Sequence, residues 1–193
     1  MNLTSGKGTG DIAMIEKRTD LMCQCGATSL TVIGKPIISA ECLCADCQRA
    51  GEILQKRKGA PTILDRNGAT RLVLYRKDKV EFQRGSENLK SHYLEKDSST
   101  RRVVARCCNT PIFLEFKGGH WLSIYGLLWS KDELPVLEIR TMTRSRREGV
   151  VLSDDVPNPK TQTISFFLKL FRAWVSMRFR TPKLDFITGN LDD

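Results

Sequence analysis

Between residues 21 and 140 the apolar and polar positions change over short stretches, without the recurrence every third or fourth residue that marks a helix. Runs at 29–33, 71–75, 80–83, 101–105, 112–116 and 121–129 are rich in β-branched and aromatic side chains. Asn67-Gly68, Arg84-Gly85 and Gly118-Gly119 supply turn signals between them. In the last run Trp121, Tyr125 and Trp129 are interleaved with Leu122, Ile124 and Leu128, as suits a core strand. This pattern predicts antiparallel sheets joined by hairpins. The strand pattern breaks over 46–54, which predicts a short helix there. The period changes again over 161–180, where Ser165, Lys169, Arg172, Ser176 and Arg180 form one narrow polar stripe on an otherwise largely apolar helix.

The chain is thus a mainly β protein with a C-terminal α-helical appendage. Residues 1–20 read as a flexible lead-in, and Met14 is an alternative start. Residues 21–140 form the β domain. Residues 141–160, with Arg144, Arg146 and Arg147 followed by Pro157 and Pro159, read as a basic, proline-marked linker. Residues 161–193 hold the amphipathic helix and a tail. Three fates stand open for that helix: packing on the β domain, pairing with a second copy in a homo-oligomer, or lying on an anionic membrane. Lys169 and Arg172 near its centre argue against spanning.

The composition adds a cationic surface. The 193-residue chain carries a net charge of +9. An anionic partner fits that balance, whether a membrane surface, a small acidic ligand or, with less support, nucleic acid. No apolar core of a secretory signal stands near the start, and no run is long enough to cross a membrane, so the expected location is cytoplasmic. Gly6-Lys7-Gly8-Thr9-Gly10 lacks the spacing of a phosphate loop.

Cysteine changes the picture most. Seven are present, in three tight groups: Cys23 and Cys25; Cys42, Cys44 and Cys47; Cys107 and Cys108. Reduced thiols are the cytoplasmic default, and an odd number cannot all pair as disulfides. Close spacing is what a zinc ion needs, because several thiolates must converge on it. The first and third groups together hold four thiols, enough for a closed structural site. The middle group holds three, which leaves a fourth position open to water or a ligand. Thiolate-rich sets select zinc, copper(I) or iron–sulfur clusters, and the spacing is not an iron–sulfur run, so two zinc ions are expected.

The order Cys-x-Cys-Gly, then Cys-x-Cys-x-x-Cys-Gln-Arg, then a late Cys followed by Asn-Thr-Pro resembles the glutathione-dependent formaldehyde-activating enzyme family, a group that includes centromere protein V. The likeness covers roughly residues 21–130, and the Cys-Cys-Asn-Thr-Pro run resembles a divergent branch of it. The resemblance implies an Mss4-like fold of antiparallel sheets folded over zinc sites. It implies that Cys23, Cys25 and the late pair hold a structural zinc. It also implies that Cys42, Cys44 and Cys47 hold a second zinc, where glutathione, its formaldehyde adduct or another small thiol binds. The implied activity is that of a carbon–sulfur lyase making S-(hydroxymethyl)glutathione. The family's late motif is Cys-x-x-Cys-Gly, whereas Ala105 stands here at its first cysteine and Asn109 at its glycine. Asn is the mildest replacement where φ is positive. Neighbouring side chains on a strand point to opposite faces, so Cys107 and Cys108 reach one metal only if the backbone turns there. Otherwise Cys107 completes the second site or stays free.

Arg49, one short turn beyond Cys47, is a candidate partner for a ligand carboxylate. His92 and His120, the only histidines, are read as ordinary surface or core residues. The alternative to an enzyme is a non-catalytic, zinc-scaffolded binding module acting through its basic surface and C-terminal helix.

Overall fold

The computed structural model describes residues 16–192. The protein is mainly β, with a C-terminal helix, and its strands form two sheets. The smaller sheet is antiparallel and runs β1 (Arg18–Met22), β2 (Ser29–Ile33), β5 (Val80–Arg84). The larger one joins seven strands in the order β10, β3, β4, β9, β8, β7, β6. These are β3 (Ile38–Cys42), β4 (Thr70–Arg76), β6 (Leu89–His92), β7 (Thr100–Ala105), β8 (Thr110–Phe116), β9 (Trp121–Tyr125) and β10 (Ile139–Thr141). Among these strand pairs only β10 on β3 is parallel. Helix α1 (Ala45–Leu54) follows β3, and α2 (Ile164–Ser176) lies near the C-terminus.

The alternation of strand side chains divides the interior into two cores. Val73, Ile124, Phe113 and Val103 lie in register across β4, β9, β8 and β7. They pack with Leu21, Leu30 and Val32 of the small sheet, and Cys23 joins that core. Leu72, Leu74, Val104 and Leu114 belong to the other core, with Leu54 of α1, Phe166 and Leu170 of α2, and the buried Cys42 and Cys47. The large sheet therefore separates two thiol groups, one per core.

Four strands fall outside the runs read from the sequence. β1 buries only Thr19 and Leu21, β10 has three residues, and β3 and β6 carry Ser39, Glu41, Lys90 and Ser91 among their apolar positions. The lead-in reading is corrected at its end, because Arg18–Asp20 already pair with Thr31–Ile33. Met14 and residues 1–15 lie outside the described residues. Residues 141–160 are a strap against the large sheet rather than a free linker. Proline lacks a backbone donor but keeps its carbonyl. Pro157 and Pro159 accept bonds from the Arg140 and Thr143 amides, at 3.0 and 3.2 Å. The Arg140 guanidinium also bridges Glu41 and Asp155, at 2.8 and 2.7 Å. The run 121–129 is a strand only to Tyr125, and Gly126–Leu128 form a 3-10 turn. The second helix is shorter than 161–180. Thr163 caps its start, accepting from the Phe166 amide at 3.1 Å, and Arg178 and Phe179 leave it with φ of +54° and +59°.

Candidate metal centres and the cavity beside them

Cys23, Cys25, Cys107 and Cys108 bring their sulfurs within 4.8 Å of one another. Cys23 leaves β1 into a tight turn: its carbonyl accepts from Gly26, whose φ is +74°, and its own amide donates to Thr28. Cys107 and Cys108 sit in the turn between β7 and β8, closed by Asn109 at φ +55°. The backbone turns where two adjacent thiols must face one point. Cys107 Sγ is 3.4 Å from Cys25 Sγ and 3.7 Å from Cys23 Sγ, so it belongs to this group and not to the middle one. Cys23–Cys25 and Cys107–Cys108 are 3.6 and 3.9 Å apart. A tetrahedral ion with metal–sulfur bonds of about 2.3 Å sets its sulfurs about 3.8 Å apart, so four metal-binding thiols in this arrangement fit such an ion. Burial raises the Cys108 thiol, but hydrogen bonds from Thr110 and from the Cys25 amide outweigh it and bring it down to about 6. The Thr28 amide donates to Cys23 Sγ at 3.3 Å.

Cys42, Cys44 and Cys47 form the second group, also within 4.8 Å of one another. Cys42 ends β3, Cys44 caps α1, and Cys47 lies in its first turn. The Cys44 sulfur accepts from the Cys47 amide at 3.3 Å, and the helix N-terminus favours negative charge there. Hydrogen bonds from Cys42 and Cys47, then the Cys47 amide and the charge of Arg102, hold Cys44 down to about 3. The bond to Cys44 pushes Cys42 up to about 12. Among the described residues no fourth Cys, His, Asp or Glu joins this group. Both cysteine groups can hold a metal ion, one with four protein ligands and one with three.

The three thiols line a cavity of about 570 Å³. Its buried walls are largely apolar, from Leu72, Leu74 and Leu114 of the sheet and Phe166 and Leu170 of α2. Its exposed lining includes Lys117 and Phe167.

Arg102 is the residue that sequence reasoning missed. It lines the same cavity and is only 2% exposed. One terminal nitrogen donates to the Asp46 carbonyl at 3.1 Å, and Nε has no partner. It is a buried cation paired with no carboxylate, beside three thiols, which is an expensive arrangement unless negative charge faces it. A signal existed: Arg101 and Arg102 are neighbours leading into the apolar run Val103-Val104-Ala105, and neighbouring strand side chains point to opposite faces, so each face receives one arginine. Arg49, by contrast, pairs with Glu95 at 2.6 Å on the surface and does not line the cavity. His92 lies 3.3 Å from an Asp192 oxygen, and His120 Nε2 is 2.9 Å from the Leu170 carbonyl, so neither histidine joins a thiol group.

Fold and site together define a small β protein with two cysteine groups, each able to hold a metal ion, on either side of one sheet. The chain belongs to a protein family of unknown function, DUF6151, whose model matches residues 15–129. No curated protein matches it. Among solved structures it is similar to a Rhodobacter sphaeroides protein determined as a structural-genomics target. That likeness has a TM-score of 0.43 and 16% identity, and it covers 73% of this chain and 100% of the other.

Proposed function

We propose that this is a two-zinc protein in which Cys23, Cys25, Cys107 and Cys108 hold a structural ion and Cys42, Cys44 and Cys47 hold an ion with one position open to a thiol. The observation that carries this reading is the three-thiol group opening into a cavity, with no fourth protein ligand among the described residues. Zinc suits all-thiolate sets, and an Mss4-like arrangement of sheets over the two sites goes with the resemblance in the cysteine motifs. A cytoplasmic location fits the reduced thiols.

The reaction class we assign is carbon–sulfur bond formation and cleavage on a thiol adduct of formaldehyde, as in the glutathione-dependent enzymes the motifs resemble. The thiol sulfur adds to the carbonyl carbon, the S–H proton ends on the carbonyl oxygen, and S-hydroxymethyl thioether results with nothing oxidised or reduced. Zinc in such a site supplies Lewis acidity and favours the thiolate form of a ligand. Arg102 faces the site as a fixed cation that offsets sulfur charge, and the apolar walls limit water beside it. Adduct formation from formaldehyde and a thiol, followed by NMR with and without the protein, tests the assignment. Acceleration lost in Cys44→Ser supports it, and an unchanged rate with the metal-loaded protein removes it.

One observation favours the binding-module reading as a second role. Helix α2 buries Phe166, Leu170 and Ala173, yet exposes Ile164, Leu168, Phe171 and Val175 on its outer side. No acid occurs between residues 161 and 184, while Arg172, Arg178, Arg180 and Lys183 do. A second copy would set these cations against themselves, so an anionic membrane surface is the better occupant. Among the described residues no helix is long and apolar enough to cross a membrane. Co-sedimentation with vesicles of phosphatidylglycerol and phosphatidylcholine, absent with phosphatidylcholine alone and lost in Phe171→Glu, is the expected result. Dimers in sedimentation analysis with no vesicle binding would overturn this role.

A further inference from the structure

We infer that the cavity at Cys42, Cys44 and Cys47 selects small thiols with an apolar body, bound as thiolates opposite Arg102, over a polar, multiply charged thiol such as glutathione. This rests on the open-site reading and goes further, because it is read from the cavity walls rather than from the thiols.

The cavity holds about 570 Å³, ample for a chain of several carbons. Its buried walls are mostly apolar, with Leu72, Leu74, Leu114, Phe166 and Leu170 against the two hydroxyl residues Ser123 and Thr141, so an apolar ligand body leaves water largely for a surface of its own kind. Glutathione carries two carboxylates and an ammonium group, each of which needs a charged or hydrogen-bonding partner when removed from water. Against those walls it finds one buried cation, Arg102, with one unpartnered nitrogen, Nε. Arg49, which would have served a carboxylate, pairs with Glu95 outside. At the buried end, beside Arg102, one negative group is what the site can neutralise, and a thiolate at the open position is that group; Lys117, the other cation of the lining, lies exposed in the solvent-facing part of the cavity.

Helix α2 supplies one side of this wall. Phe166 and Leu170 enter the wall from its inner side, and Phe167, exposed, lies along the cavity as well. The matched family model ends at residue 129, so this wall lies outside the matched region.

The test uses the full chain loaded with cobalt(II), whose absorption bands report a new sulfur ligand. Propanethiol, butanethiol, pentanethiol and hexanethiol are titrated alongside glutathione and butanol at fixed pH. The expected result is affinity rising about four-fold for each added methylene. Glutathione should bind more weakly than propanethiol, and butanol should leave the bands unmoved. Phe167→Asp, a change at an exposed position, should flatten the chain-length series without changing cobalt content. Affinity independent of chain length, or glutathione binding as tightly as hexanethiol, overturns the inference and leaves the open site standing. Bands that no thiol moves, with three-thiol cobalt present, overturn the open site itself and the inference with it.

Discussion

At the residue scale the four-thiol group depends on backbone shape as much as on sulfur. Asn109 holds φ +55° and Gly26 +74°, and these turns aim adjacent or nearly adjacent thiols at one point. Gly85 supports them from outside. Its φ is +69°, and a Cβ there would lie 2.2 Å from the Ala27 carbonyl and 2.9 Å from the Thr28 Cα. The Thr28 amide donates to Cys23 Sγ, so the clash passes to the four-thiol group. Gly85→Ala should cost about 2 kcal/mol or more, seen as a lower midpoint in thermal unfolding, and should weaken retention of one metal equivalent against a chelator. An unchanged midpoint would show that the turn adapts. Cys107 was legible in the sequence as a ligand of the first group only on condition that the backbone turns there, because its role depends on the bend between β7 and β8. Arg102 was hidden for a related reason. Adjacent arginines on a strand announce that one faces inward, without saying which or onto what.

At the element scale the notable joint is between α2 and the large sheet. His120 stacks on Trp174 with ring centroids 5.6 Å apart, and its Nε2–H donates to the Leu170 carbonyl at 2.9 Å. Burial, followed by the charges of Lys77 and Arg76, lowers the His120 pKa from its ordinary value near 6.5, with the Leu170 bond opposing them. The neutral ring is thus favoured in the folded state. The unfolded chain binds a proton first as pH falls, so this contribution is whole above about pH 6.5 and declines below it. His92 is lowered in the same direction. Unfolding followed by denaturant at pH 7.5 and 5.5 should show stability lost on acidification, with a smaller loss in His120→Phe, which keeps the stacked ring. An equal loss in the variant would place the sensitivity elsewhere. The amphipathic helix itself was plain from its polar stripe. That its inner side walls a cavity was not, because a helical period says which residues share a face and not what that face meets.

At the scale of the whole molecule, one seven-stranded sheet carries a thiol group on each side, and each group is built into a separate core. A buried charge network joins β8 to its neighbours. Glu115 pairs with Lys77 at 2.5 Å and with Arg101 at 2.6 Å, and the Lys77 side chain is 3% exposed. Glu115→Gln leaves that ammonium without its counter-charge and should cost about 3 kcal/mol in denaturant unfolding. A loss under about 1 kcal/mol would mean the lysine escapes to solvent. The strand content of the large sheet was mostly readable from β-branched runs. Its edges were not: β10 is three residues long and β6 is four, too short to show a period, and β10 is held by β3, a strand distant in sequence.

Seven clustered thiols forming two metal centres of different completeness should be visible in native mass spectra of the reduced, zinc-loaded chain and of its Cys44→Ser and Cys107→Ser variants. The wild-type chain should carry two zinc ions. Cys44→Ser should carry one with the fold kept, and Cys107→Ser should show a loosened fold, because a structural zinc contributes about 10 kcal/mol or more. A folded wild-type chain that takes up no zinc, or only one ion shared by both groups, would contradict two such centres.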